Sequence, residues 1–121
     1  MELHGEAKLL RIFLGESDKV GHAPLHDVIL REARAAGLAG ATAWRGTGGF
    51  GASSRMRTAG VLDLSGDLPL IIEITDQEEK IDRFLPKVRE LFETSRCGGL
   101  ITMEKVQVIH YLPGAGAPPK P

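Results

Sequence analysis

The chain has 121 residues, of which 42% are hydrophobic and 26% charged, and its 15 basic and 16 acidic side chains leave a formal net charge of −1. These values suit one soluble globular domain and give no support to a nucleic-acid or anionic-membrane partner, while a local basic patch stays open as an alternative. The single cysteine, Cys97, cannot form an internal disulfide, which fits a cytoplasmic protein.

The first half of the chain is predicted as a strand, a helix and a second strand. Residues 7–15 are rich in apolar side chains and end at a glycine, as strands often do. Pro24 suits the first turn of a helix that Gly37 would end, because apolar residues recur between them at helical spacing. Residues 40–46 are predicted as the second strand, in which Trp44 is expected to belong to the core.

Residues 46–51 spell G-x-G-x-x-G, the dinucleotide-binding fingerprint of a Rossmann fold. That fingerprint must follow a strand and open a helix. Here it follows a strand, but the next residues lack a sustained apolar stripe, and Asp67 leads directly into another strand. The prediction is therefore a long loop over residues 46–67, with a short extended stretch at 60–64, and not a Rossmann site.

Closely spaced glycines still allow backbone N–H groups to approach an anion without obstruction by a Cβ. Arg45, Arg55 and Arg57 could add charge-assisted hydrogen bonds to a phosphate. The alternative is a flexible hairpin loop whose arginines are solvated. A second glycine pair, Gly98 and Gly99, precedes the last strands, and glycine loops from two subunits could meet in one cleft as a phosphate cradle.

The second half of the chain is predicted as a central strand, a helix and two short strands. Residues 68–75 are dense in β-branched side chains and read as the strand. Asp76 and Glu79 have the spacing of a capping box at the start of the helix, which Pro86 should kink or split. The last two strands are predicted at residues 100–103 and 106–111.

The order β-α-β-β-α-β predicts an α+β protein with a ferredoxin-like split βαβ sandwich, in which both helices cover one face of the sheet. The domain is expected to span residues 1–112 and to be followed by a disordered tail, residues 113–121. Both alternating faces of the third strand carry apolar side chains. We therefore expect other subunits to bury the open face of the sheet.

Several segments resemble the uncharacterised family DUF190, which is grouped with PII-like signalling proteins. They are LRIFLGES, HAPLHDVIL, GLAGATAWRGTGGFG, LPLIIEITDQEEKI and GGLITMEKVQVIHY, and the resemblance runs from about Lys8 to Tyr111. It implies a homotrimer with its sheets facing inward and a long mobile T-loop between the second and third strands. It also implies binding of an adenine nucleotide (AMP, ADP or ATP) in clefts between subunits.

Carried over by position, the resemblance places the nucleotide site at the base of the T-loop and at the second glycine pair. The residues implied are Arg45, Gly46, Thr47, Gly48, Gly49, Phe50, Gly51, Gly98 and Gly99. Leu70 and Ile72 would line the adenine pocket. The loop segment with Ser53, Ser54, Arg55 and Arg57 would contact a partner protein, for example a membrane transporter or an enzyme.

The sequence departs from PII proteins at two points. No tyrosine lies in the T-loop, so uridylylation is not expected. No lysine lies between Gly99 and the following strand, which weakens the case for a triphosphate over a mono- or diphosphate.

Two alternatives to a regulatory nucleotide-binding protein stay open, a weak nucleotide hydrolase and a trimeric metal-binding protein of the CutA-like type. No Ser-His-Asp or Cys-His arrangement is readable, so no catalytic residue is assigned and no enzyme is expected. His22 and His26 lack a third ligand, so no metal is expected. Glu73 lies in an apolar strand and needs a partner, for which Arg11 on a neighbouring strand is predicted.

Overall fold

The computed structural model describes residues 3–51, 57–58 and 67–115. The helices are α1 (Leu25–Ala35) and α2 (Glu78–Ser95). The strands are β1 (Gly5–Gly15), β2 (Lys19–Val20), β3 (Ala23–Pro24), β4 (Ala41–Arg45), β5 (Gly48–Gly49), β6 (Arg57–Thr58), β7 (Pro69–Asp76) and β8 (Leu100–Val108).

The main sheet has four strands in the order β4-β7-β1-β8, and each neighbouring pair is antiparallel. Along the chain, these strands and the two helices follow the order β1-α1-β4-β7-α2-β8. This arrangement confirms the predicted ferredoxin-like βαββαβ fold. Two small antiparallel pairs, β2 with β3 and β5 with β6, are added to it, and the strands of neither pair were predicted.

The hydrophobic core lies between the sheet and both helices. Leu10, Ile12 and Leu14 of β1 point into it, and the first two are fully buried there, because alternate side chains of a strand point to the same face. The same face of β7 contributes Ile72 and Ile74, and the helices contribute a stripe of buried side chains. Burying one such aliphatic side chain stabilises the fold by about 1.5–3 kcal/mol. The helical members of the core are Leu25, Ile29, Ala33, Ile81, Phe84, Val88 and Leu91.

The opposite face of the sheet has no helix over it in the described residues. The register places Trp44 opposite Ile71 and Phe13 opposite Leu100 on this open face. Trp44 is 50% exposed and Leu100 is 56% exposed. The prediction that Trp44 belongs to the core is therefore wrong, since its position in β4 has the parity of the open face.

An ion-pair group occupies the middle of the open face. Arg11 donates from Nε to Glu73 Oε2 over 2.9 Å and from Nη1 to Glu104 Oε1 over 3.1 Å. The predicted partnership of Glu73 with Arg11 is thus confirmed. The hydrogen bond to Glu73 and the two nearby carboxylates hold the pKa of Arg11 above its usual range, so this group keeps its positive charge.

Helix α1 follows Pro24 directly and ends as predicted. Pro24 is the N-cap, one position before the first helical residue. At the other end Gly37 has φ +76°, a left-handed conformation that a glycine adopts at little cost.

The predicted capping box at Asp76 is wrong. The N-cap of α2 is Gln77, which makes no side-chain capping bond. Asp76 is instead the fully buried last residue of β7, and its carboxylate accepts hydrogen bonds from the backbone N–H of Ala39 (2.8 Å) and of Gln77 (2.7 Å). It therefore ties the start of α2 to the connection between α1 and β4.

Helix α2 runs through Pro86 as one helix, so the predicted split does not occur. Buried residues on both sides of Pro86, such as Phe84 and Val88, anchor the two halves to the same core. The two strands predicted after α2 are also a single strand, β8. Its pairing with β1 continues without a break from Leu100 opposite Phe13 to Val108 opposite Gly5.

Neither helix in the described part of the chain combines the length and the apolar composition that a bilayer crossing requires. The extended stretch predicted at 60–64 and the tail beyond residue 115 lie outside the described residues.

Candidate functional site

The antiparallel order of the sheet brings both glycine segments to the same end. Arg45 at the end of β4 pairs with Leu70 near the start of β7, and Phe13 near the end of β1 pairs with Leu100 at the start of β8. The loop that leaves β4 and the loop that enters β8 therefore lie at the same end of the sheet, with the ends of β7 and β1 between them.

A cavity of about 320 Å³ opens between these two loops. From the loops it is lined by Gly46, Gly48, Gly49, Phe50, Gly51, Gly98 and Gly99. From the ends of the central strands it is lined by Phe13, Leu14, Pro69, Leu70, Ile71 and Leu100. Both glycine loops belong to one chain here, so their meeting does not require a second subunit.

The lining combines apolar side chains with glycine backbone and includes no ionisable side chain from the described residues. Phe50 is 70% exposed and offers its ring at the cavity. Ligand sites commonly have this character, a mostly apolar wall with a few polar backbone groups that fix orientation. Such a cavity suits a flat, uncharged ring, and the glycine backbone beside it has no Cβ that would obstruct an attached anion.

Two of the residues assigned to the site do not line the cavity. Arg45 directs its side chain to an ion pair with the carboxylate of Glu16. Thr47 is exposed and also lies outside the lining. Of the two strand residues expected at an adenine pocket, Leu70 lines the cavity at the start of β7, whereas Ile72, two residues further along the strand, is fully buried in the core and does not line it. Ile71, which was not assigned to the site, also lines the cavity.

The loop residues assigned to partner binding are described only in part. Ser53, Ser54 and Arg55 lie outside the described residues. The backbone of Arg57 belongs to β6, where it pairs with Gly49 of β5.

The base of the long loop is a hairpin and not the strand-to-helix turn of a dinucleotide-binding site. Gly48 and Gly49 pair antiparallel with β6, and Gly51 is not helical. The backbone N–H of Gly46 donates to the carbonyl of Pro69 over 2.7 Å, which joins the hairpin to the start of β7. The Rossmann reading is excluded by this geometry, as the sequence predicted.

The turn that follows β1, at Glu16 and Ser17, holds the two ends of this loop, a role that was not predicted from the sequence. The backbone N–H of Glu16 donates to the Leu68 carbonyl over 2.8 Å. The next N–H, of Ser17, donates to Oδ1 of Asp67, which is buried, over 3.0 Å. Both bonds hold the end of the long loop that leads into β7. The carboxylate of Glu16 holds Arg45 at the other end, where the loop leaves β4. The polar residues after Gly15 predict a turn, but their sequence does not indicate that Leu68, Asp67 and Arg45 are its bonding partners.

Gly99 is required by packing as well as by any ligand. A Cβ at this position would lie 2.4 Å from Cε1 of Phe92 and 3.0 Å from the Phe13 carbonyl oxygen. A Cβ does not approach another heavy atom as closely as 2.4 Å in a folded protein. A larger residue at position 99 would therefore displace the ring of Phe92 or the end of β1. The glycine in this loop therefore does not by itself indicate a phosphate contact.

A larger cavity of about 600 Å³ lies at the other end of the open face, where Thr42, Thr75, His110 and Tyr111 contribute polar groups. The hydroxyl of Tyr111 donates to the Ala39 carbonyl over 3.3 Å. Within residues 3–51, 57–58 and 67–115, no three His, Cys, Asp or Glu side chains come together as metal ligands would.

Comparison with known sequences identifies close relatives over nearly the whole domain. The profile of the family DUF190, described as "Uncharacterized ACR", matches residues 7–108. A UPF0166 protein of Aquifex aeolicus is 39% identical over 103 residues, which cover 85% of this chain and 93% of that protein. A UPF0166 protein of Methanocaldococcus jannaschii is 36% identical over 103 residues, covering 85% of this chain and 92% of that protein.

Comparison with solved structures identifies the fold as that of PII-like proteins. CPII of Thiomonas intermedia K12, a nitrogen regulatory PII-like protein whose structure was solved bound to ADP, AMP and bicarbonate, superposes with a TM-score of 0.65. The sequence identity is 21%, and the match covers 85% of this chain and 88% of CPII.

Proposed function

This chain belongs to the DUF190 family and has a PII-like fold, and from that premise we propose that it is a regulatory protein that binds an adenine nucleotide. The observation that carries the proposal is the cavity of about 320 Å³ between its two glycine loops. One chain supplies both loops and an apolar wall between them. The wall suits the base of a nucleotide, and the glycine backbone of the loops suits its phosphate.

The adenine ring is placed against the apolar wall. Leu70, Ile71 and Phe50 provide flat or aliphatic surface of the kind that buries an aromatic base. The phosphate is placed at the glycine backbone, where N–H groups approach an anion without a Cβ in the way. The solved structure of CPII with ADP and AMP supports this choice of ligand, because the two proteins share a fold.

A homotrimer with inward-facing sheets is part of the proposal. The open face carries Leu9, Phe13, Ile71, Trp44 and Leu100 around a central group of ion pairs. Exposed aromatic and aliphatic side chains grouped on one face are typical of a protein interface. The ring of subunits would bury this face and add neighbouring residues to each nucleotide cleft.

The signalling step is assigned to the T-loop. Nucleotide at the base of the loop would favour one loop conformation, because a ligand shifts a conformational equilibrium only by binding one state better. That conformation would be the one read by a partner protein, such as a transporter or an enzyme. Most of the loop, residues 52–56 and 59–66, lies outside the described residues.

Isothermal titration calorimetry with AMP, ADP and ATP tests the binding proposal, and two matched variants locate the site. A Cβ at Gly51 or at Gly40 meets no atom within 4 Å, so valine is accommodated at either position. Gly51 lines the cavity between the glycine loops, whereas Gly40 lines the larger cavity at the opposite end.

We expect Gly51→Val to weaken nucleotide binding at least tenfold and Gly40→Val to leave it unchanged. Absence of heat and of a thermal shift with all three nucleotides at millimolar concentration would refute nucleotide binding. Loss of binding in Gly40→Val alone would move the site to the other cavity.

A further inference from the structure

Glu16 makes an ion pair with Arg45, a cation that the sequence offers as a phosphate ligand. We propose that Glu16 is a specificity-determining residue of the nucleotide site, because its carboxylate competes with the ligand's phosphate for Arg45. In this role Glu16 lowers the contribution that phosphate makes to affinity and leaves the contribution of the adenosine unchanged. The inference rests on the proposed function.

The position of Arg45 makes such competition possible. Arg45 is the last residue of the edge strand β4 and directly precedes Gly46, which lines the cavity. Its side chain is 67% exposed and makes an ion pair with Glu16. An exposed guanidinium can change partner without disturbing the core, since little apolar surface is buried with it.

The position of Glu16 is fixed by its neighbours. Its own N–H is bonded to the Leu68 carbonyl over 2.8 Å, and the flanking N–H groups of Gly15 and Ser17 are bonded to the side chains of Asp18 (2.9 Å) and Asp67 (3.0 Å). The Glu16 side chain is 24% exposed. A carboxylate on a fixed backbone loses less entropy when it forms an ion pair, so it is an effective competitor.

The cavity makes Arg45 important to a phosphate. The described lining contains no ionisable side chain, and Arg45 directly precedes its first glycine, Gly46, so Arg45 is well placed to supply a cation to a phosphate bound there. Hydrogen bonds between arginine and phosphate are charge-assisted and bidentate, and a diphosphate carries more charge than one carboxylate. Phosphate can therefore displace Glu16 from Arg45. The free energy of the lost Arg45–Glu16 ion pair reduces the binding free energy that the phosphate gains.

The test measures the Kd of adenosine and of ADP for the wild-type protein and for Glu16→Gln, Arg45→Gln and the double variant. An exposed ion pair of this kind corresponds to roughly a two- to fivefold change in an equilibrium constant. We expect Glu16→Gln to bind ADP two- to fivefold more tightly and adenosine with unchanged affinity. Arg45→Gln should lose most of the preference for ADP, and adding Glu16→Gln to it should have no further effect.

Glu6→Gln is the matched control, because Glu6 is an exposed glutamate whose pair with Lys105 (3.6 Å) lies at the other end of β1. It removes the same charge and should leave both affinities unchanged. Glu16→Asp, which keeps the charge and the backbone bond but shortens the side chain, should fall between wild type and Glu16→Gln. It also provides the comparison if Glu16→Gln folds poorly.

The outcomes separate this inference from the proposed function. If the wild-type protein binds ADP but Glu16→Gln and Glu16→Asp bind it no more tightly, the competition is refuted and nucleotide binding stands. A gain in Glu16→Gln that persists in the double variant also refutes it, since the gain would not pass through Arg45. If wild type binds neither adenosine nor any of AMP, ADP and ATP, both proposals are refuted.

Discussion

Gly99 lies against the ring of Phe92, so that a Cβ at position 99 would stand 2.4 Å from Cε1 and 2.7 Å from Cζ of the ring. Phe92 belongs to α2 and packs on the core, and Gly99 lies just before β8. The contact joins the end of the helix to the start of the strand at the edge of the proposed nucleotide site.

Gly99→Ala should destabilise the fold by about 1–3 kcal/mol, the usual cost of overpacking a closely packed position. Urea unfolding followed by circular dichroism measures the change. Gly40→Ala is the control, because a Cβ there meets no atom within 4 Å. Shortening the ring in Gly99→Ala/Phe92→Leu should give less destabilisation than the sum of the two single changes. Full additivity, or a Gly99→Ala protein as stable as wild type, would contradict the packing argument.

The fold could be predicted because its main elements have strong periodicity. The apolar runs of β1 and β7 and the helical spacing of apolar residues in α1 and α2 identify these elements, and the chain order then favours one sandwich. The Arg11–Glu73 pair could also be predicted, since a carboxylate in an apolar strand needs a cation on a neighbouring strand. The β2–β3 pair could not, because strands of two residues have no periodicity to read.

The errors in local structure arose where tertiary contacts replaced a local rule. Asp76 matched a capping pattern, but its carboxylate bonds to the distant N–H of Ala39 as well as to that of Gln77. Pro86 matched a helix break, but core packing on both sides holds α2 together.

The candidate site was predictable in part. Glycine spacing and family resemblance pointed to the two loops, and the structure places both at one cavity. That Leu70 and Ile71 line the cavity and Ile72 does not depends on how far the cavity extends along β7. The ion pair of Arg45 depends on Glu16, which is 29 residues away in the sequence. Neither relationship can be read from spacing alone.

Asp76→Ala should destabilise the protein by about 2–4 kcal/mol. It removes the acceptor of two backbone N–H groups at a fully buried position, and each unsatisfied buried donor costs about 1–3 kcal/mol. Asp76→Asn keeps one acceptor oxygen and should lose less. Chemical denaturation measures both, with Glu90→Ala on the exposed face of α2 as the control. A loss below about 0.5 kcal/mol in Asp76→Ala, the range of ordinary surface substitutions, would contradict this role.

Trp44→Glu should dissociate the proposed trimer without unfolding the subunit. Trp44 lies on the open face and is 50% exposed in the isolated chain, so its replacement leaves the core intact but places a charge in the proposed interface. Light scattering after size exclusion should show wild type at three chain masses and Trp44→Glu at one. Ala35→Glu, at an exposed position on α1, should stay trimeric. A wild-type protein with the mass of one chain would contradict the proposal that the open face is a subunit interface.

Arg96→Gly should stabilise the protein by about 0.5–1 kcal/mol. Arg96 ends α2 with φ +61°, a left-handed conformation that costs a residue with a Cβ about 1–2 kcal/mol, while glycine adopts it freely. The higher entropy of glycine in the unfolded chain offsets part of the gain. Arg89→Gly is the control with the opposite sign, because within the helix the same change should cost about 1 kcal/mol. Thermal and urea unfolding measure both variants, and destabilisation by Arg96→Gly would mean that the arginine side chain makes a contact that outweighs its backbone strain.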